Sequence, residues 1–566
     1  MAGVFLLPSF FAVIQNPRTE NLISGWDALI YPRPQRFFDI IHSFFFPQDI
    51  PARPNFFPDS DNKWASMSAW LPVFGCSGAI AYFQSRRHRD WLHRMLTVCI
   101  FCALIPGLNA MFQLFNSMYY ARWYYMLVLM LVLATVLSFE QAEQTPVNWK
   151  RAFGWSFGVT AAFALFIGLM PASWEPDEET GKLAFGLMEN PPRFWIFVAV
   201  AVISLVLAVL LVLLHRHEPQ RFARWATVTV AAFSLVYGWY LVGLGSANSN
   251  YTPQFVIEHA IEQPAFDLPD NDQVFRVDVN NGMDNLGMFW GYPTIQAFHS
   301  IVPGSVTEFY TSIGVDRGVA SRPSTGHYAI RSLLSVRWLF EFANEEGTEY
   351  WDDSKTFEKD GGTTMPDWQY TGIQNGFRVY ENENYIPFGF VYDAYLTRSE
   401  YDELSDMQRE QVLLKALVVE DADEVKAAAL LPHLFGDILY TRAAFAEDCR
   451  NRRASAASRF TRDNSGFEAE ITLDSSNLVF FSVPFETGWT ATINGEKADI
   501  LQTNVGFMAV ACPAGDAVIR FDYRTPGLLT GGLISLGAAL LLVLYCLIAR
   551  LRGHRTPPAD EAAQDG

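Results

Sequence analysis

Six runs of about 20 mainly apolar residues crowd the first 245 positions: Trp64–Phe83, Met95–Phe115, Met118–Leu137, Phe153–Met170, Phe194–Leu214 and Ala226–Gly245. A further run, Leu528–Ala549, lies near the end. Roughly 20 apolar residues is the length a helix needs to cross the hydrocarbon of a bilayer. A shorter run, Phe5–Ile14, has no charged n-region and no small-residue cleavage site beside it. It therefore reads as the outer part of a spanning helix rather than as a signal peptide. The expected fold is a polytopic α-helical membrane protein of about eight spans.

Lys and Arg orient such a bundle, because cytoplasmic loops carry their excess. QSRRHRDWLHR (84–94), HRHEPQRFAR (215–224) and RLRGHR (550–555) are basic, and NWKR (148–151) agrees. Alternating the spans then places residues 15–63, the turn near Asn116, the acidic loop 171–182 and everything from Ser246 to Thr525 outside. The predicted location is the plasma membrane, with the large domain extracellular and the carboxy terminus cytoplasmic. Residues 246–525 hold 42 Asp and Glu against 21 Lys and Arg, a charge of −21; the total of −19 leaves +2 for the rest. A surface so acidic excludes nonspecific nucleic-acid binding, which needs basic surface to meet phosphates. Its plain consequence is solubility.

The outer segment has two textures. FRVDV (275–279) and FRVYE (377–381) alternate like strands, YAIRSLLSVRWLFEF (328–342) reads as a helix running into a strand, and SEYDELSDMQREQVLLKAL (399–417) reads as one solvated helix. After residue 465 the pattern is almost all strand, with Asn494-Gly495 as a hairpin signal. Six short strands at this spacing predict a β-sandwich. The domains read as a bundle over 1–245 with an outer loop 15–63, a mixed α/β domain over 246–464, a β-sandwich over 465–525, a last span over 526–549 and a tail over 550–566. In the outer loop, Ile40–Phe46 suits an interfacial helix among prolines. Cys76, Cys99, Cys102 and Cys546 fall in apolar runs, and the CxxC of Cys99 and Cys102 has no second pair to make a zinc site. Cys449 and Cys512 both lie outside, where one disulfide is allowed but its pairing cannot be read from sequence.

Several stretches, in this order, resemble the bacterial YfhO membrane-protein family: RWYY (122–125), TEFYTSIG (307–314), RSLLSVRWLFE (331–341), NENYIPFGFVY (382–392), CRNRRASAASRF (449–460) and VPFETGWTATINGE (483–496). The resemblance covers nearly the whole chain. It implies a GT-C type glycosyltransferase that takes sugar from a polyprenyl-phosphate carrier on the outer leaflet, with a cell-envelope glycopolymer such as lipoteichoic acid as acceptor. GT-C enzymes usually carry an Asp or Glu in a first outer loop, and full-length members have several spans before the region seen here. The chain thus corresponds to the carboxy-terminal part, without that loop. It is not expected to transfer sugar alone.

Candidate residues follow. Arg122 stands among Tyr119, Tyr120, Trp123, Tyr124 and Tyr125. It is either an interface anchor in an aromatic belt or, with Tyr119 and Tyr125, a clamp on the carrier phosphate. Among the loop acids Asp27, Asp39, Asp49, Asp59 and Asp61, each readable as solvated, Asp39 is the choice for a general base. Arg450, Arg452, Arg453, Arg459 and Arg462 form a basic island that either docks a polyanion or pairs with Glu447, Asp448 and Asp463. Trp489 is either a sandwich core residue or a sugar platform. The histidines at 215, 217 and 554 show no metal spacing, and no Walker loop, dinucleotide fingerprint or nucleophile elbow is present. The expectation is therefore no metal and no cofactor, with membrane lipid, a polyprenyl-phosphate-linked sugar and an envelope glycopolymer as partners. A non-catalytic accessory protein that binds or presents envelope polymer is the alternative. Transport fits less well, because the spans hold almost no ionisable residues.

Overall fold

The computed structural model describes residues 2–14, 22–51, 54–56, 63–86, 90–113, 115, 119–140, 146–171, 183, 185–215, 217–262, 266–269, 273–280, 282–299, 301–342, 365–436 and 441–553. The chain divides into two compact units, residues 18–249 and residues 1–17 with 250–566.

Helix α1 (Gly3–Ile14) belongs to the second unit. The first unit contains α2 (Gln35–Phe45), α3 (Ser77–Ser85), α4 (Trp91–Leu104), α5 (Pro106–Ala110), α6 (Tyr124–Glu140), α7 (Trp149–Leu169), α8 (Pro191–His215) and α9 (Pro219–Ala247). Among the described residues, α7, α8, α9 and the last helix, Leu528–Gly553, are long and apolar enough to cross a membrane. A bent pair, α4 with the segment Pro106–Gln113, raises the number to five. α1 and α6 are apolar but shorter, at 12 and 17 residues.

Two of the expected spans therefore look different. Trp64–Phe83 is not one helix: only α3, nine residues long, is helical within it. Pro72 has no N–H to donate, and Trp64, Ser66 and Val73 sit at positive φ. This irregular stretch is enclosed by protein, with Ala65, Ala69, Trp70, Leu71 and Val73 buried. Irregular backbone in an apolar bundle needs such enclosure, because lipid offers no hydrogen bonds. α3 crosses α6 closely; a Cβ at Gly78 would come within 2.3 Å of the Thr135 side chain. Ser138 donates to the Gly78 carbonyl at that crossing. Met95–Phe115 breaks after Ile105, which is extended ahead of Pro106, and the two halves meet at 102°. α4 starts where Asp90 caps it, accepting from the backbone N–H groups of Leu92 and His93.

In the second unit, α1 runs antiparallel to the last helix. Gly3 lies over Gly531 and Phe11 over Gly527, while the Val4 N–H donates to Ser535 Oγ at 2.9 Å. Small residues every fourth position let the two backbones touch.

The remainder of that unit is built on strands. A four-stranded sheet has β1 (Arg276–Asn280), β4 (Val336–Phe342), β6 (Phe377–Asn382) and β5 (Trp368–Gln374) in that order; β1 and β4 are parallel and the rest antiparallel. β2 (Ala297–Phe298) and β3 (Ala320–Ser321) make a small ladder. A five-stranded sheet runs β10 (Arg459–Arg462), β11 (Gly466–Leu473), β17 (Gly515–Tyr523), β13 (Trp489–Ile493), β14 (Glu496–Ala498). A six-stranded sheet runs β7 (Phe390–Val391), β12 (Asn477–Phe481), β16 (Phe507–Cys512), β15 (Ile500–Thr503), β9 (Leu417–Val419), β8 (Tyr395–Thr397). Phe467, Ile471 and Phe521 of the first of these meet Val479, Phe481 and Val510 of the second in one core. The sandwich is thus wider than residues 465–525, because β10 and three short strands from 390–419 complete it. Asn494 and Gly495 both take positive φ between β13 and β14, as a tight hairpin turn requires.

The stretch 328–342 does run from helix (Ala329–Leu333) into strand. The single helix expected over 399–417 is instead two, Arg398–Asp402 and Asp406–Lys415. Each half has its own capping pair: Glu400 accepts from the Thr397 N–H, and Gln408 from the Ser405 N–H. Cys449 and Cys512 are buried free thiols in different cores, so they do not form a disulfide.

The helix pair gives a test. A Cβ at Gly531 would lie 2.2 Å from the Gly3 carbonyl oxygen, whereas nothing lies within 4 Å of Gly532. Gly531→Val should lower stability in detergent by about 1–3 kcal/mol, the usual cost of overpacking. Gly532→Val should leave the thermal midpoint nearly unchanged.

Candidate functional site

The bend after α4 opens a cavity of about 350 Å³ in the first unit. Four short pieces of chain supply its walls. α5 carries Asn109, a 3-10 turn (Gly25–Ala28) carries Asp27, the first turn of α2 carries Arg36, and the approach to α6 carries Tyr119 and Tyr120. Arg33 and Lys63 complete a cationic lining with one carboxylate. The Tyr31 hydroxyl donates to the Ala103 carbonyl at 2.9 Å, which fixes its ring edge-on to Tyr119 at 5.1 Å. The Arg36 guanidinium lies 4.9 Å from the Tyr119 ring centre and 5.7 Å from that of Tyr31. Cations over aromatic faces are held without losing their N–H groups in the ring plane.

Asn109 is 1 % exposed; its amide faces the Tyr119 hydroxyl but makes no hydrogen bond of good geometry among the described residues. A buried amide left unsatisfied costs about 1–3 kcal/mol unless something enters to meet it. Cations, aromatic faces and a buried amide suit an anionic headgroup that also carries hydroxyls.

A smaller pocket of about 70 Å³ lies along the same helix, lined by Asp39, His42, Asp49 and Phe56 among others. Asp49 accepts from the N–H groups of Ile50 and Asn55 and lies 3.5 Å from Arg193. Burial still pushes its carboxyl above the ordinary range, against the pull of Arg193 and those two bonds. His42 is stacked on Phe46 at 4.3 Å with Phe56 tilted against it at 3.8 Å, and burial pushes its imidazole down to about 3.

The residues named from sequence are separated. Tyr119 is buried on the wall of the larger cavity. Arg122 is exposed, stacked over Tyr120 at 4.8 Å, and is not part of that wall; Tyr125 is 72 % exposed. Tyr119, Arg122 and Tyr125 therefore do not converge. Asp39 is buried on α2, one turn from Arg36, and opens on the smaller pocket. Asp59 and Asp61 lie outside the described residues. α2 starts earlier than the interfacial helix expected over 40–46, and it turns Arg36, Asp39 and His42 into the protein. That three-residue spacing of polar groups in a Phe-rich helix was the signal that could have found Arg36.

The basic island is also dispersed. Arg452 is buried, donates to the Val391 carbonyl and pairs with Asp393. Arg453 donates to the carbonyls of Glu383 and Tyr385, Arg459 pairs with Glu470, and Arg450 is exposed. Trp489 packs against the sandwich core, on Phe467 and Phe521. No cluster of three or more His, Cys, Asp and Glu suited to a metal occurs among the described residues.

Several apolar helices and a large β-rich region in one chain define a multi-helix membrane protein. The chain matches the family described as bacterial membrane protein YfhO over residues 1–446 and 443–535, and it belongs to that family. A Bacillus subtilis (strain 168) protein described as "Uncharacterized protein YfhO" is 28 % identical over 162 residues, covering 27 % of this chain and 17 % of that protein. The match thus spans well under two thirds of that relative's length. No solved structure matches.

The His42 environment predicts an acid limb. Its folded value lies below its unfolded value of 6.5, so the unfolded chain binds the proton first as pH falls. Stability should therefore be intact above pH 6.5 and fall by roughly 1.4 kcal/mol per pH unit from there down towards pH 3. His42→Phe should flatten that limb in urea titrations taken at successive pH values. An unchanged slope would place the titrating group elsewhere.

Proposed function

We propose that this chain is part of an outer-leaflet glycosyltransferase that moves sugar from a polyprenyl-phosphate carrier to a cell-envelope polymer such as lipoteichoic acid. The observation that carries the reading is the cavity at the bent helix, where Arg36 is set on tyrosine faces beside the unsatisfied Asn109 amide. Arg36 and Arg33 supply planar donor forks for the carrier phosphate, and Asn109 meets a sugar hydroxyl. In the transfer, an acceptor hydroxyl attacks the anomeric carbon and the bond from that carbon to the phosphate oxygen breaks. The electron pair leaves on the phosphate, and the hydroxyl proton passes to a carboxylate. Asp27, on the wall of this cavity, is placed for that proton better than Asp39, which opens on the smaller pocket. Arg122 is left as an anchor at the headgroup level, stacked on Tyr120.

Donor binding tests this directly. Arg36→Lys keeps the charge but loses the fork, and should weaken binding of a polyprenyl-phosphate sugar in nanodiscs by about tenfold or more. Arg122→Lys should bind as the parent does. Loss in Arg122→Lys alone would move the clamp to Arg122, and loss in neither would overturn the reading. The thermal midpoint of each variant separates lost binding from lost folding.

We further place residues 246–525 outside the cell and the tail inside, on the strength of the basic loops. A cysteine at Ser465, which is exposed, should react with an impermeant thiol reagent on intact cells, and one at Ala562 should not. The reverse pattern would invert the orientation.

A further inference from the structure

The second unit contains a cleft of about 560 Å³ between the end of the sandwich and β1. Its wall holds two arginines that pair with no carboxylate among the described residues, together with Glu486 and with Asp463, which Arg520 engages. Arg276 uses three of its five N–H groups, donating to the Leu334 carbonyl and to the hydroxyl and carbonyl of Ser482. All three acceptors are neutral, and its guanidinium otherwise lies over the Phe388 ring at 4.7 Å. Arg462 is exposed and has no side-chain partner among the described residues. Nearby arginines are paired: Arg331 with Asp278, Arg337 with Glu381, and Arg520 with Asp463 and Asp522. Burial lowers the hold of Arg276 on its proton to about 10, because no carboxylate offsets the cost of desolvating the charge.

The lining is also aromatic. Trp489 and Tyr523 lie 5.0 Å apart between ring centres and tilted, which makes a bent platform. The Tyr523 hydroxyl donates to Glu486, so that carboxylate is held in the cleft with acceptor capacity to spare. Apolar C–H faces of pyranose rings pack on such platforms, and their hydroxyls donate to carboxylates.

We infer that this cleft binds a saccharide bearing a negative charge, with its ring on Trp489 and Tyr523, a hydroxyl on Glu486 and its anionic group between Arg276 and Arg462. Aromatic walls alone would take any apolar ligand, and unpaired arginines alone any anion. Their presence in one cleft selects a ligand that is both ring and anion. As the seat of an acceptor glycan the cleft rests on the transferase reading. As a binding site it stands apart, since donor binding through Arg36 is measured separately.

The test uses the full chain in nanodiscs and three labelled probes: a hyaluronan hexasaccharide (sugar and carboxylate), cellohexaose (neutral sugar) and a polyphosphate of similar length (charge without sugar). The acidic hexasaccharide should bind at least about tenfold more tightly than either of the others. Arg462→Gln, at an exposed position, should reduce the preference over cellohexaose to about twofold or less. Trp489→Phe should weaken binding of the acidic hexasaccharide about threefold or more, with its thermal midpoint read alongside. Arg450→Gln should change nothing. Equal binding of hexasaccharide and polyphosphate, no binding of the hexasaccharide, or full preference in Arg462→Gln would each overturn the inference.

Discussion

A peptide group in hydrocarbon must find its hydrogen bond within the chain, because lipid supplies none. The first unit is arranged around that requirement. Where the apolar sequence is uninterrupted, as in α7, α8 and α9, each helix satisfies itself and leaves most of its surface apolar. Where Pro72 or Pro106 interrupts it, the freed backbone is enclosed by other protein. Ala65 accepts from the Ala121 N–H, Ala103 from the Tyr31 hydroxyl, and Ile105 from the Asn109 N–H. A cavity of about 350 Å³ lies at the second of these breaks. A bent helix presents polar ends that a continuous one would bury in its own ladder, and side chains such as Asn109 and Arg36 collect around them.

Charge organises the second unit in a comparable way. Its cores are apolar, but β1 and the helix before β4 are tied by a buried ion pair, Arg331 with Asp278, both almost fully enclosed. Arg331 also donates to the carbonyls of Pro323, Ser324 and His327, so every one of its N–H donor atoms is engaged. Such a pair is close to neutral for stability, because desolvation offsets attraction, yet breaking it strands a charge. Its effect is to fix the path of RSLLSVRWLFE, and with it the register of β1 against β4. Arg276 and Arg462 at the cleft have no such carboxylate partner among the described residues. Burying a guanidinium without a counter-charge opposes folding, so a ligand that supplies the charge stabilises the folded form by mass action.

The apolar runs, the basic loops and the strand alternation were all legible from sequence because each is a local pattern. Period and length alone decide whether a stretch can span lipid or alternate across a sheet. The helix-to-strand step at 328–342, the Asn494-Gly495 hairpin and the family itself followed from such patterns. Tertiary structure decided the rest. Trp64–Phe83 is as apolar as a span, yet Pro72 and the protein around it make it an enclosed irregular segment. Besides β10, the sandwich needed three strands from 390–419, which no local signal joins to residues 477–512. Tyr119, Arg122 and Tyr125 are neighbours in sequence, but only Tyr119 reaches the cavity, because the chain before α6 is not helical and carries no helical periodicity. Arg36 and Asn109 are 73 residues apart and line one cavity where the helix bends at Pro106. Sequence alone determined which stretches are apolar, charged or alternating, since those are properties of single residues and their spacing. Which side chains converge on one cavity was decided by packing, since convergence depends on contacts between residues far apart in the chain.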